Sequence, residues 1–202
     1  MSRSDWPDKL DSSVLRSMAA KKAKGKGRSM NAMNTETKDR AAIGPLRIFV
    51  YGTLKRGYWN HDRFCRGAYY IEEATVCGRL YALPSGIPVL QVPDSDILAM
   101  GTSNLLADVR IQESFIEKLP LDADRKGDWQ IIRGEMIVFP DARLSLPPID
   151  RLEGFRPDAQ SLYLRVLVPV VTDGDEQVTA WCYMAGETII HSIAPTGKTS
   201  WP

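Results

Sequence analysis

A glycine directly after a strand-like run is the first feature of the sequence that could do chemistry. The run 47–51 is rich in β-branched and aromatic residues and stops at Gly52, which predicts a buried strand entering a tight turn. Successive backbone N–H groups in such a turn can bind an anion or a developing oxyanion. In most proteins a strand followed by Gly-Thr is only a turn, and the local pattern leaves that alternative open.

A glutamate at a predicted helix end is the second feature. Pro147 and Pro148 suit a first helical turn. Gly154 suits the left-handed position that follows a helix, so the sequence predicts one short helix ending at Glu153. The negative end of the helix dipole and partial burial would both raise the pKa of this carboxyl group, as a proton shuttle near neutral pH requires. A surface glutamate explains the local pattern equally well.

Three further polar residues are candidates for the same region. Asp150 lies three residues before Glu153, and a pair of carboxylates is the arrangement of glycoside hydrolases. A role in helix capping or on the polar helix face is the simpler explanation. In the strand-like run 162–168, Tyr163 and Arg165 share one face. Tyr163 could offer a hydroxyl group, and Arg165 could pair with a bound carboxylate or, more commonly, with a neighbouring acid.

The elements that must position these residues are mostly strands. We expect Asn60 to cap a short helix over 60–66, and the segment 93–128 to be an excursion with helical pieces at 97–100 and 115–116. Few helices among many short strands predict an α+β domain whose sheet curls on itself, because closure removes exposed edges. Strand-like runs lie at 46–51, 75–81, 87–92, 130–139, 162–171 and 178–184.

Composition divides the 202-residue chain into two parts. The overall content of 44% hydrophobic and 25% charged residues supports a buried core. Residues 1–44, however, carry ten Lys and Arg against five Asp and Glu, whereas residues 45–202 carry sixteen against twenty. We therefore predict a flexible basic extension over 1–44 and one globular domain over 45–202. The extension is either a solvated linker or, alternatively, an electrostatic contact for nucleic acid or an acidic protein.

Several classes of function lack support in the sequence. No apolar run approaches the roughly 18 residues of a membrane-spanning helix, and no secretory signal is visible, which predicts a cytoplasmic protein. Two histidines and three widely spaced cysteines do not match common metal-ligand patterns, so we expect no metal and reduced, buried thiols. No Walker loop, Rossmann fingerprint or nucleophile elbow occurs. We expect no cofactor.

Taken together, the motifs resemble the γ-glutamylcyclotransferase-like superfamily, and its AIG2-like, γ-glutamylamine cyclotransferase branch in particular. The similarity spans about 46–184, and 102 residues separate Tyr51 from Glu153. The resemblance implies a small mixed β-barrel with short flanking helices. It is carried by Tyr51-Gly52-Thr53-Leu54-Lys55-Arg56-Gly57, Asn60-His61, Gly134-Glu135, Ile149-Asp150-Arg151-Leu152-Glu153-Gly154 and Tyr163-x-Arg165.

The same resemblance implies an activity and a set of site residues. A γ-glutamyl amine or related compound would cyclise to 5-oxoproline and release its amine, with Glu153 as the general acid and base. Substrate would lie against Tyr51, Gly52, Thr53 and Leu54, with Tyr163 as a wall or hydrogen-bond donor. We expect a small-molecule partner and a monomer or homodimer. The alternative is a non-catalytic module that binds a small ligand in the same pocket and recruits a macromolecule through its basic extension.

Overall fold

A closed five-stranded barrel is the centre of the fold. The computed structural model describes residues 44–115, 127–190 and 193–202. Within them, seven strands are hydrogen-bonded in the order β3-β2-β5-β1-β7-β6-β4, and an additional pairing of β2 with β6 closes the barrel. The β1–β7 pair is parallel and the others are antiparallel, which confirms the predicted α+β fold with a small mixed barrel. The strands are β1 (Leu46–Val50), β2 (Tyr70–Ala82), β3 (Pro88–Gln91), β4 (Ala99–Met100), β5 (Gln130–Phe139), β6 (Tyr163–Thr172) and β7 (Gln177–Ala185).

The helix that carries Glu153 is longer than the sequence predicted. It begins at Ala142 because the Asp141 side chain caps it, accepting a hydrogen bond from the Arg143 backbone N–H. The two prolines therefore lie inside the helix, and their predicted place in the first turn was wrong. Its end was predicted correctly, since Gly154 adopts a left-handed φ of 65°. The described helices are α1 (Trp59–Phe64), α2 (Leu105–Ser114), α3 (Ala142–Glu153) and α4 (Glu187–Ile190), with a 3₁₀ turn at Asp94–Asp96.

The segment between β3 and β5 also differs from the prediction. Its expected helical piece at 97–100 was wrong, because Ala99–Met100 pairs with β6 instead. A helix that was not predicted, α2, is capped by the Asn104 side chain. Its buried positions include the polar residues Asp108 and Gln112, so it lacks the apolar stripe by which such helices are found in sequence. Of the predicted piece 115–116, the first residue directly follows α2 and the second lies outside the described residues.

Two apolar clusters use both faces of the barrel strands. One consists mainly of strand residues such as Phe49 and Val166 and fills the barrel. The other joins the outward faces of the strands to the helices, where Leu146 and Ile149 of α3 pack. Burial of both faces explains why β1 reads as a continuous apolar run rather than an alternating one. The contact with α3 fixes this helix against the barrel, and thereby the position of Glu153.

Some predictions fall on residues that the structure does not describe. The predicted basic extension, 1–44, lies almost entirely outside the described residues, as does much of 93–128 after position 115. Within the described residues, none of the helices has the length and apolarity needed to cross a membrane. Cys65 and Cys182 are buried thiols, and Cys77 is partly buried.

Candidate functional site

One cavity brings the predicted site residues together. Glu153 at the end of α3 faces the turn that follows β1, and Tyr163 at the start of β6 forms part of the wall. The cavity has a volume of about 50 Å³, so it is a narrow recess. Its lining comprises Phe49, Val50, Tyr51, Gly52, Thr53, Leu54, Ile87, Pro88, Glu153, Tyr163 and Tyr183.

Helix α1 holds the turn from one side. The Asn60 amide donates to the Thr53 hydroxyl group at 2.8 Å. The Nδ1 atom of His61 lies 2.8 Å from the Leu54 carbonyl oxygen, a contact in which Nδ1 must carry the proton. The residue at the N-cap position of α1 is Tyr58, so the prediction that Asn60 caps this helix was wrong. The Asn60 side chain instead orders the predicted substrate-binding turn. An asparagine before a short helix looks the same in sequence whether its side chain caps the helix or bonds another segment.

Charged groups hold the turn from the other side. Both the backbone N–H and the side-chain Nε of Arg56 donate to the Glu135 carboxylate at 2.8 Å. The Lys55 ammonium group donates to the carbonyl oxygen of Trp201 at 2.6 Å, which ties the turn to the C-terminal segment. Loops fixed at several points present their backbone groups in one geometry. The turn is consequently a preorganised part of the cavity.

The glycine of the turn is required by a close approach. A Cβ atom at Gly52 would lie 3.0 Å from Cγ of Pro88, closer than ordinary van der Waals contact. Gly52 is not among the residues with positive φ, so the close contact, rather than a left-handed conformation, explains why glycine suits this position. For the N–H groups of Gly52, Thr53 and Leu54 the described part of the chain supplies no acceptor. They are available to a ligand.

The Glu153 carboxyl group has the proton affinity of a group that exchanges protons near neutrality. The side chain is half-buried, and burial is the main cause that raises its pKa to about 7, with a smaller contribution from the negative charge of Asp150. Among the described residues, no hydrogen bond or ion pair engages this carboxyl group. It is therefore free to meet a ligand in the cavity.

Three tyrosines form the cavity wall, and their hydroxyl groups serve the fold. Tyr163 donates to the carbonyl oxygen of Pro88 at 3.1 Å, so its proton is already committed and its ring acts as a wall. Tyr51 donates to the carbonyl oxygen of Tyr183 at 2.9 Å and accepts from the Leu90 N–H at 3.2 Å. The sequence did not indicate Tyr183, because nothing in an apolar strand marks which aromatic residue borders a cavity.

A buried ion-pair network lies beneath Glu153. The Arg165 side chain is 0% exposed and pairs with the carboxylates of Asp108 in α2 and Asp150 in α3. Asp150 also accepts a hydrogen bond from the Tyr183 hydroxyl group at 2.6 Å. Asp150 is thus neither a helix cap nor half of a catalytic carboxylate pair, and Arg165 is a structural cation that no ligand reaches. The network anchors α3 to β6 and sets the charge beside Glu153.

The fold and the site define a class of protein: a small barrel in which a preorganised backbone turn and a glutamate with a raised pKa line one recess. The family model described as "Gamma-glutamyl cyclotransferase, AIG2-like" matches residues 48–103 and 109–201. The chain belongs to this family, and the resemblance noted in its sequence is confirmed. The match includes the turn after β1, α3 and the cavity-lining part of β6.

Three solved structures to which this chain is similar come from a bacterium, a mammal and a plant. YkqA from Bacillus subtilis is 18% identical, covers 78% of this chain and has a TM-score of 0.45; the alignment spans 39% of YkqA. An AIG2-like protein from Mus musculus is 20% identical over 79% of this chain and 89% of its own, with a TM-score of 0.46. A protein from Arabidopsis thaliana is 17% identical over 72% of each chain, with a TM-score of 0.44. A comparison with curated proteins gave no match.

Proposed function

We propose that the protein is a cyclotransferase that converts a γ-glutamyl amine, or a related γ-glutamyl compound, into 5-oxoproline and a free amine. The observation that supports this most directly is the shared cavity of Glu153 and the Gly52 turn. A carboxyl group with a pKa near 7 and unengaged backbone donors are the two parts that such a cyclisation needs. Membership of the family supports the same reaction.

In this proposal the turn 52–54 holds the glutamyl group in a bent shape. Its N–H groups bind the α-carboxylate and the γ-carbonyl oxygen, and the rings of Tyr163 and Tyr183 limit the space available to an extended substrate. The reacting nitrogen and carbon belong to one molecule. Holding them in contact can therefore lower the activation free energy by several kcal/mol through proximity alone. In well-oriented intramolecular reactions this effect is on the order of 7 kcal/mol.

Glu153 carries the protons in two steps. Its ionised carboxylate takes a proton from the α-ammonium group, which is otherwise not nucleophilic, and the freed amine attacks the γ-carbonyl carbon. The carbonyl oxygen becomes an oxyanion facing the N–H groups of the turn. When the C–N bond to the leaving amine breaks, the protonated Glu153 returns its proton to that nitrogen. The ring nitrogen still carries a second proton, which the regenerated Glu153 carboxylate takes up and passes to the released amine, so that the amine leaves as an ammonium ion. Atoms and charges then balance without a covalent enzyme intermediate.

The alternative function, a binding module without catalysis, explains less of the site. A module that only binds the anionic glutamyl group gains nothing from Glu153, a half-buried acid placed beside the negative charge of the ligand. A buried acid with a pKa near neutrality is, by contrast, useful to a proton shuttle. The electrostatics of Glu153 therefore favour the enzyme.

The test is an assay of 5-oxoproline release from γ-glutamyl amines, γ-glutamyl amino acids and glutathione. We expect wild-type protein to turn over at least one substrate and Glu153→Gln to lose about 100-fold or more in kcat, the usual scale for a general acid and base. A matched control is Glu176→Gln, which should retain full activity. Glu176 is exposed and lies in the turn between β6 and β7, at the other end of β6 from Tyr163. Equal turnover by wild type and Glu153→Gln would refute the role of Glu153. No release from any substrate would favour the binding module.

A further inference from the structure

The turn that lines the cavity with Glu153 is closed by Lys55. The backbone N–H of Lys55 donates to the carbonyl oxygen of Gly52 at 3.1 Å, so Thr53 and Leu54 are the two central residues of a tight four-residue turn. The orientation of their N–H groups depends on this closing hydrogen bond. Any group that fixes Lys55 therefore also fixes the donors that the proposed reaction uses.

The side chain of Lys55 reaches the C-terminal segment, which we define as residues 195–201. Its ammonium group donates to the carbonyl oxygen of Trp201 at 2.6 Å and lies 5.8 Å from the centre of the Tyr58 ring. A hydrogen bond from a charged donor is stronger than one between neutral groups. A lysine side chain loses much rotamer freedom when it is held in this way, so the contact is stable only if the Trp201 carbonyl group is itself held in place.

Backbone pairing with the barrel holds the C-terminal segment. Pro195 forms a bridge with Tyr81 of β2, and the next residue donates its N–H to the Leu80 carbonyl oxygen at 2.8 Å. Further along the segment, the carbonyl oxygen of Thr199 accepts from the Arg133 N–H of β5 at 2.7 Å. The segment is therefore attached to two strands before it reaches the turn.

The position of Thr199 explains why this segment can reach the turn. Strand β1 pairs with β5 as far as Val50, which lies opposite Glu135, and then leaves the sheet to form the turn. Two residues earlier on β5, one edge of Arg133 is paired with β2. Thr199 must then bond the other edge, which is the one that β1 has just left. The C-terminal segment thus continues the sheet at the point where the turn begins.

We propose that the C-terminal segment orients the N–H groups of the turn, with Lys55 as the positioning residue through which it acts. The inference deepens the proposed cyclisation and rests on it for the effect on catalysis. Lys55 and Trp201 are not among the residues that line the cavity, so neither is a catalytic residue. A typical hydrogen bond shifts an equilibrium about fivefold. Loss of this contact should therefore lower kcat/KM by about that factor while the protein stays folded.

The experiment is a double-mutant cycle. Lys55→Met removes the ammonium group, and a chain that stops after Thr199 removes the Trp201 carbonyl group but keeps the pairing with β2 and β5. Each change should lower kcat/KM for 5-oxoproline release about fivefold. The two combined should lower it no further, because both remove the same contact. Lys55→Arg keeps a charged donor and should stay within about twofold of wild type.

Controls separate positioning from an effect on folding. A chain that lacks only Pro202 keeps the Trp201 carbonyl oxygen, and Arg110→Met removes an exposed positive charge on α2 outside the cavity. Both should match wild type within about twofold, and urea denaturation should show every variant folded at the assay temperature. Exchange of the Lys55 backbone N–H with deuterium, followed by NMR, reports on the turn without any substrate. It should be about fivefold faster in the chain that stops after Thr199.

Two results would overturn the inference while leaving the cyclisation intact. One is a double variant whose loss is the product of the two single losses. The other is a chain that stops after Thr199 with wild-type kcat/KM and wild-type exchange at Lys55. If wild type releases no 5-oxoproline from any substrate, the proposed function is refuted. Exchange at Lys55 then decides the inference, and an unchanged rate would overturn it.

Discussion

Replacement of Glu153 by glutamine, which does not ionise, should change how the free energy of unfolding depends on pH. Burial raises the pKa of this carboxyl group from 4.5 to about 7 in the folded protein. Between these two values the folded state keeps a proton that the unfolded state has released. Stability therefore falls as pH rises through this window and is constant above it. Glu153→Gln has no such proton, so it should become progressively more stable than wild type as pH rises.

The size of the effect follows from the difference between the two pKa values. One pKa unit corresponds to about 1.4 kcal/mol, so a change from 4.5 to about 7 sets an upper limit of about 3 kcal/mol at pH 8. Glu153 is only half-buried, and water screens part of this energy. We expect Glu153→Gln to match wild type near pH 4.5 within about 0.5 kcal/mol and to exceed it by about 1–3 kcal/mol at pH 8.

Urea denaturation at pH 4.5, 6 and 8 measures this difference directly. Other titrating groups are common to both proteins and cancel in the comparison, and Glu176→Gln provides an exposed control that should show no trend. A difference between wild type and Glu153→Gln that stays constant from pH 4.5 to 8 would mean that the carboxyl group ionises as it does in water. The proposed proton shuttle would then lose its physical basis.

Three further predictions concern catalysis and packing. In wild type, kcat/KM should rise tenfold per pH unit up to an apparent pKa near 7 and then level off, because the base form of Glu153 starts the reaction; a profile that is flat from pH 5 to 8 would contradict this. Gly134→Ala should lose about 1–3 kcal/mol in urea denaturation, since a Cβ there would lie 2.3 Å from a backbone oxygen; Gly67→Ala, with no atom closer than 3.9 Å, is the control, and equal stabilities would count against the packing argument. Arg165→Met should destabilise the fold by about 3–5 kcal/mol because it leaves the buried Asp108 carboxylate without its cation; thermal denaturation close to wild type would show that the network contributes little.

Local pattern predicted the strands well because each is a run of β-branched and aromatic residues between glycine, proline or aspartate clusters. The strands β5, β6 and β7 lie within one or two residues of their predicted bounds. The left-handed Gly154 marked the end of α3 for the same local reason. Helix α2 was missed since it buries Asp108 and Gln112, and a polar buried face becomes intelligible only when the partners of those side chains are known.

In the candidate site, too, some residues could be found from their neighbours in sequence and others only from their tertiary contacts. Gly52 and Glu153 were marked by their neighbours in sequence and by a family pattern. Tyr183 and Ile87 carry no such mark, because a residue borders a cavity only through what lies opposite to it. Asn60 illustrates the ambiguity: an amide before a short helix predicts a cap, yet its side chain bonds the Thr53 hydroxyl group instead.

By itself, the sequence determined the strand-rich barrel, the glycine turn and the helix that ends at Glu153, since each depends on backbone preferences of adjacent residues. Tertiary structure decided that the turn and the glutamate share one cavity and that Arg165 forms ion pairs with Asp108 and Asp150. It also decided that the Glu153 pKa lies near 7. These properties depend on burial and on charges brought together from distant parts of the chain, which no local pattern contains.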